Sequence, residues 1–415
     1  MSSSDPVVRN PSIKRLPEVE FITLFALMMS LTALTTDAML PAFSFIAQDL
    51  AIDNYQHTQW IISAMILGMV FGEITFGPLS DAIGRKKSIG IGIGIYLVGT
   101  LVALCSMSLE MLLLGRMIQG FGVSAPKIAS RALIRDLYKG AAMARIMSFI
   151  MMVFLLVPLL APAIGQLVMQ LGNWRWIFAM LLIQSLIALA WLFWRQPETL
   201  PKKRRIPLHW RSLLRDARDI INHKEVMAFT LLLGCIFGSL MLYISTAQSI
   251  FQDIYGVGDD FPLYFAMMAI GSSIMNFFNG KIVLRVGMKA CVYFALTLMV
   301  CLSFVLSLVV LSYDGVPPFV YFMGICMAMF SCFGMVFGNV NAMAMEPLGR
   351  TAGLGASMIS SLSSFVAIVL SASIGLFYQN TLTPFATGFF LLSVTSAALM
   401  FVAIRFSSLK NVSAE

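Results

Sequence analysis

Five charged side chains stand inside runs of apolar residues, and any chemistry this chain performs has to be built around them. Asp37 lies in the run 21–45, Glu73 in the run 59–80, and Arg116, Lys127 and Arg131 in the run 111–133. A charge in hydrocarbon is costly, so such residues are functional candidates by default, expected to pair with one another or to face a water-filled cavity. A buried carboxylate can carry a proton, because burial disfavours its charged form while a neighbouring cation favours it. Asp37 falls roughly 24 Å along its run at 1.5 Å per residue, and Arg116 falls at a similar depth in its own. By the same arithmetic Glu73 lies close in depth to Lys127. Lys127, Arg131 and Arg135 recur every four residues and form one basic stripe on a helix. A Glu73–Lys127 or Glu73–Arg131 bridge is the structural reading of these charges. A second proton site, or recognition of an anionic substrate by Lys127 and Arg131, is the functional one.

Other chemistry is poorly provided for. His57, His209 and His223 sit in polar segments with no second ligand at helical spacing. All six cysteines (Cys105, Cys235, Cys291, Cys301, Cys326 and Cys332) fall in or beside apolar runs and read as small buried hydrophobes. No metal, no cofactor and no nucleophilic or metal-dependent enzymology is expected from these types.

The elements that must position the charges follow from composition. Of 415 residues, 59% are hydrophobic and only 12% charged, about half the charge of a soluble domain. Apolar runs long enough to cross a bilayer recur near 21–45, 59–80, 88–108, 111–133, 146–170, 174–194, 227–251, 261–281, 289–312, 317–343, 351–377 and 384–405. The expected fold is therefore an all-α integral membrane protein of twelve transmembrane helices. The first run is too long for a signal-peptide core and is expected to be retained. Of the 28 Lys and Arg residues, 24 fall on one face of this arrangement, nine of them in the segment 195–226. Both termini are thus expected in the cytoplasm, and the net charge of +8 reads as a topology signal rather than a nucleic-acid-binding surface. Within that central segment, Leu208, Leu213, Leu214, Ala217, Ile220 and Ile221 keep near-helical spacing among Arg and Asp. A short amphipathic helix on the cytoplasmic headgroups, inside a linker, is expected.

An internal repeat organises the spans. Gly77-Pro-Leu-Ser-Asp81-Ala-Ile-Gly84-Arg85-Lys86 closes span two, and 203 residues later Gly280-Lys-Ile-Val-Leu-Arg285-Val-Gly287-Met-Lys289 closes span eight. An offset near half the chain marks two parallel six-helix halves, with a substrate site expected between them. The expected divisions are a tail 1–20, a bundle 21–194, a linker 195–226, a second bundle 227–405 and a tail 406–415. The Gly77–Gly84 loop is expected to need backbone freedom at both ends. Asp81 can face the positive N-terminus of a neighbouring helix.

These residues also carry a resemblance. GPLSDAIGRKK (77–87) resembles the signature loop of the major facilitator superfamily. LLLGRMIQGFG (112–122) running into RALIRDLY (131–138) resembles the pattern of its drug:proton antiporters, and VPLLAPAIGQL (157–167) is similar to their antiporter motif, with Pro158, Pro162 and Gly165 in place but Ala161 where Gly is usual. TTDAMLPAF (35–43) and EPLGRTAGLGAS (346–357) look like the bicyclomycin/chloramphenicol-resistance (Bcr/CflA-like) multidrug efflux transporters. The resemblance implies the major facilitator fold, with span eleven as the helix facing Asp81 and a cytoplasmic latch made of Gly77, Asp81, Gly84, Arg85 and Asp136. It implies that helices one and four lie side by side, so that Asp37 and Arg116 form a pair or shared network. Glu73 departs from the subgroup, in which Gln is usual.

The second half has no ionisable residue in the middle of its spans. It offers Tyr243, Gln248, Asn276, Asn279, Asn339 and Asn341. All of these except Asn279, together with Lys127, Arg131 and Gln119, are the residues expected to line the substrate cavity, with Asp37, Arg116 and Glu73 handling protons. Prolines 158 and 162 are expected to bend span five. Gly68–Gly72, Gly90–Gly94 and Gly334–Gly338 are expected to let helices approach closely. The function these readings favour is proton-coupled export of small amphipathic compounds by alternating access, from a monomer in a bacterial inner membrane, driven by the proton gradient. The alternatives are a transporter of one metabolite or siderophore and a transport-dead membrane sensor.

Overall fold

Hydrocarbon offers no hydrogen-bond partners, so a spanning segment must satisfy its own backbone, and a helix does so within one segment. The computed structural model of the chain describes residues 16–52, 55–138, 146, 150, 157–158, 160–206, 208, 210–377 and 381–412, and no strand occurs among them. In chain order the helices are α1 (Glu18–Asp37), α2 (Phe43–Asp49), α3 (Trp60–Ile83), α4 (Arg85–Leu104), α5 (Leu109–Leu137), α6 (Leu160–Met169) and α7 (Arg175–Arg195). They continue with α8 (Trp210–Asn222), α9 (Lys224–Gln248), α10 (Phe261–Val286), α11 (Met288–Ser312), α12 (Phe319–Met345), α13 (Ala352–Gly375) and α14 (Thr383–Val412).

Ten helices among the described residues are long and apolar enough to cross a membrane, α1 and α2 counting as one. The other two expected spans are α5 and the one containing α6. With 29 residues α5 is long enough, but Glu110, Arg116, Lys127, Arg131, Arg135 and Asp136 make it too polar to qualify by hydropathy. The span expected at 146–170 lies partly outside the described residues, which include α6 and Pro158 but not the segment 151–156. The chain forms the all-α membrane fold expected.

Two local departures from expectation have clear physical causes. The first span is not one helix. Pro41 stands four residues after Asp37, has no N–H to return to the Asp37 carbonyl, and would press its ring on that carbonyl. So α1 ends at Asp37, a 3-10 turn covers Leu40–Ala42 with Pro41 in its first turn, and α2 starts afresh at Phe43. The Gly77–Gly84 segment is not a loop either. Gly77 and Pro78 are helical, α3 runs to Ile83, and Gly84 alone separates it from α4. Gly84 adopts φ +108° and ψ 155°, and Gly287, its counterpart 203 residues on, adopts φ +82° and ψ 158° between α10 and α11. Backbone freedom is used at one end of each motif, where a left-handed φ requires glycine.

The chain divides into two compact units, Met1–Asp53 with Ala64–Trp210 and Asn54–Ser63 with Arg211–Glu415. In the first, α4 packs along α5 and α7, and α1 packs on α5 and α7. One apolar core there gathers Phe21, Phe25, Ile89, Ile93, Leu133 and Leu192, and a smaller one joins Leu31, Met65, Met69, Tyr96 and Val123. In the second unit α9 packs on α13 and α14, while α12 packs on α10 and α11. The central segment does contain an amphipathic helix, α8, with Leu214 and Ile221 exposed and Ile220 buried.

Candidate functional site

Glycines bring the backbones of α3, α4 and α5 close enough for short polar side chains to meet between them. A Cβ on Gly120 would sit 1.8 Å from the Met65 carbonyl oxygen, one on Gly122 2.4 Å from the Tyr96 amide nitrogen, and one on Gly99 2.5 Å from the Gln119 amide nitrogen. Gly68 and Gly72 also meet the α5 backbone, and Gly334 meets that of α10, as their spacing suggested. Gly94 and Gly338 have nothing within 4 Å, so the small-residue spacing overreached at those two positions.

The close approach encloses a polar network in the smaller core. Arg116 is fully buried, and its Nη1 donates to Gln119 Oε1 at 3.1 Å. Gln119 Nε2 donates to Thr100 Oγ1 at 2.9 Å, and the Thr100 hydroxyl donates to the Tyr96 carbonyl at 2.7 Å. A guanidinium carries only donors, so the Gln119 amide is oriented by Arg116 and the direction of each bond in this chain is fixed. On the α1 side the Thr35 hydroxyl donates to the Leu31 carbonyl at 2.5 Å. Its single proton is thereby committed, and the Tyr96 hydroxyl donates to Thr35 Oγ1 at 2.7 Å. The two arms also meet at Met65, whose sulfur lies 3.1 Å from Arg116 Nη2 and 3.6 Å from Thr36 Oγ1.

Asp37 ends α1 beside this network. It is 4% exposed, and its Oδ1 has no hydrogen-bond partner. Of the pair or shared network expected of Asp37 and Arg116, the ion pair does not occur among the described residues. Gln119 and Met65 are among the partners of the guanidinium, and among the described residues Asp37, at the end of its helix, is in no ion pair. From the other side α6 closes on the break, where a Cβ on Gly165 would lie 2.0 Å from the Ala38 carbonyl oxygen. The antiporter-like motif thus reaches the residue after Asp37. Pro158 and Pro162 are both helical.

Glu73 has found a different solution. It is fully buried, its Oε1 forms an ion pair with Lys127, and its Oε2 has no hydrogen-bond partner. The Lys127 side chain is 20% exposed, and Arg131 is exposed. Gln119, expected to line the cavity, is instead buried within the network.

At the Gly84 junction Arg85 is 4% exposed. It reaches Asp136 Oδ2 through Nε at 3.1 Å, and Asp81 Oδ1 at 2.5 Å and Ser80 Oγ at 2.9 Å through Nη1. The segment after α7 completes this cluster. Glu198 Oε1 accepts the backbone N–H groups of Arg85 at 2.9 Å and of Thr199 and Leu200 at 3.0 Å each, so a carboxylate caps the positive start of α4. A Cβ on Gly84 would lie 2.4 Å from Glu198 Oε2. Sequence reasoning missed Glu198, although a lone carboxylate ahead of four consecutive basic residues was a readable signal.

In the second unit Asn339 is buried and donates to Asn279 Oδ1 at 2.9 Å and to the Met335 carbonyl at 2.8 Å. Its amide therefore braces α12 against α10. Asn276 and Asn341 are exposed. Tyr243 and Gln248 are buried, the Tyr243 ring stacking on Phe265 and meeting Phe330 edge-on.

Comparison with known proteins agrees with this architecture. Residues 25–372 match the family model described as Major Facilitator Superfamily. Over 371 residues the chain is 31% identical to the bicyclomycin resistance protein homolog of Haemophilus influenzae, a match spanning 88% of this chain and 91% of that protein. It is 28% identical over 261 residues to the chloramphenicol resistance protein of Pseudomonas aeruginosa, spanning 62% of this chain and 60% of that one. Among solved structures, the xylose transporter XylE of E. coli matches with a TM-score of 0.71 at 14% identity, covering 92% of this chain and 97% of that one, a likeness of fold alone. With the family model matching most of its length, the chain belongs to the Major Facilitator Superfamily and is a multi-pass membrane transporter of small molecules rather than an enzyme.

Proposed function

We propose that this transporter exports small amphipathic compounds in exchange for protons, by alternating access, with Asp37 as the proton carrier. The observation that carries the reading is a buried carboxylate at a helix break, with one oxygen lacking any partner and a network containing the fully buried Arg116 beside it. A carboxylate in that position can exist neutral while it holds a proton, or be charged when the guanidinium turns to it. Competition between proton and cargo for this site would couple their opposed movements. Relatives named for bicyclomycin and chloramphenicol resistance support drug-like cargo. The aromatic and methionine-rich second unit suits amphipathic molecules. We take it to work as a monomer in a bacterial inner membrane, and the distribution of Lys and Arg supports both termini being cytoplasmic. Within this scheme Arg85, Asp81 and Asp136 act as a latch on the cytoplasmic side.

The test is to energise inverted membrane vesicles containing the protein and add candidate compounds one at a time. Amphipathic drugs should partly collapse the proton gradient with the native chain and fail to do so with Asp37→Asn. A response confined to one metabolite or siderophore would replace the drug reading. An anionic compound of that kind would turn attention to Lys127 and Arg131.

A further inference from the structure

We propose that the segment 196–206 is a strap over the latch, and that Glu198 is the positioning residue through which it holds Arg85 on Asp136. The inference rests on the reading of Arg85, Asp81 and Asp136 as a latch and adds what sets its hold. Two consecutive residues of the segment grip the two members of the ion pair. Glu198 Oε1 accepts the Arg85 N–H at 2.9 Å. The Thr199 hydroxyl donates at 3.5 Å to Asp136 Oδ2, the same oxygen that receives Arg85 Nε. Arg85 begins α4 and Asp136 lies in the last turn of α5, so the segment bridges two helices. Its far end returns to the same junction, where the Ile206 N–H donates to the Asp81 carbonyl at 3.1 Å. Gln196, Thr199 and Leu200 are buried, so the segment is packed in place rather than solvated.

The repeat supplies an internal control. Gly84 and Gly287 share a left-handed backbone between successive helices, yet a Cβ on Gly287 would meet nothing within 4 Å. One on Gly84 would lie 2.4 Å from Glu198 Oε2 and 3.1 Å from Arg205 Nη2. The junction geometry therefore needs no cover of its own, and the strap is an addition at the latch. A carboxylate that accepts backbone N–H groups at a helix start makes charge-assisted bonds, about twice as strong as neutral ones. Arg85 is thus fixed at both ends, its main chain by Glu198 and its guanidinium by Asp136, Asp81 and Ser80. Without the Glu198 charge the main-chain end is freed, and the guanidinium loses its fixed distance to Asp136.

The test needs no cargo and reads amide hydrogen exchange of the purified full-length protein. Glu198→Gln keeps the shape and one acceptor but removes the charge. Exchange should quicken about tenfold, as loss of a charge-assisted bond implies, at the Arg85 amide, at the Ile206 amide and at the end of α5, residues 134–138. A residue that only caps α4 would quicken the Arg85 amide and leave Ile206 and the end of α5 unchanged, which overturns the proposal. Because Glu198 acts through the ion pair, its effect on 134–138 should shrink to about twofold or less once Arg85→Gln is present. Thr199→Val removes the other grip and should quicken 134–138 severalfold; it serves as the second variant if Glu198→Gln fails to fold. Exchange at 134–138 that ignores Glu198→Gln and Thr199→Val but responds to Arg85→Gln overturns the strap and leaves the latch. Exchange there that ignores Arg85→Gln as well overturns the latch reading itself.

Discussion

Two buried carboxylates in the same unit are handled in opposite ways. Glu73 is neutralised by Lys127, whereas Asp37 forms no ion pair with Arg116 and keeps an oxygen without a partner. The pairing of Glu73 was readable from helical rise, because both residues are long-reaching and fall at one depth. That Asp37 forms no pair was not readable, since it depends on which of several acceptors a buried guanidinium takes. Thr35, Met65, Tyr96 and Thr100 were equally hidden, being ordinary types within apolar runs that gain a role only where glycines bring three helices together. A prediction follows from the Glu73 pair. Glu73→Gln should lower stability by roughly 2 kcal/mol, less than the usual cost of breaking a buried pair because Lys127 keeps some access to solvent. Glu73→Gln with Lys127→Gln should recover much of the loss in thermal unfolding in detergent. A double variant less stable than the single would contradict the view that this pair is a structural brace.

At the scale of the element, the first span is organised by Pro41. The motif TTDAMLPAF was legible as a family resemblance, but its physical content, a proline four residues after the carboxylate, is what ends α1 at Asp37. Pro41→Ala returns the missing N–H and should let the helix run on past Asp37. The variant is expected to stay folded with unchanged or raised thermal stability and to lose transport severalfold, as measured by uptake into vesicles. The packing of α5 makes a second prediction. Gly120→Ala forces a methyl against the Met65 carbonyl and should cost about 1–3 kcal/mol, as overpacking does. Gly94→Ala adds a methyl to open space and should be neutral or stabilise by about 0.5–1 kcal/mol. Parallel unfolding curves of the two variants separate glycines that permit close approach from one that does not.

Over the whole molecule, repetition and function divide differently. The repeat was legible as a 203-residue offset and reappears in the backbone, with Gly84 and Gly287 in the same left-handed geometry between successive helices. The chemistry does not repeat. Charges in the middle of the spans belong to the first unit, while the second has Asn339 joined to Asn279 and an aromatic cluster around Tyr243 and Phe330. Hydropathy and periodicity therefore revealed the architecture almost completely. The candidate site was legible only in its charged members, because neutral polar residues in apolar runs look alike until their neighbours are known.

The central claim is that Asp37 carries the proton. Its most direct test is proton movement in proteoliposomes reconstituted with the native chain or with Asp37→Asn, using a compound identified in the vesicle assay. Asp37→Asn should still exchange labelled for unlabelled cargo across the membrane at a rate near that of the native protein, while cargo no longer drives proton flux and a pH gradient no longer drives cargo. Undiminished pH-driven transport by Asp37→Asn would contradict the account.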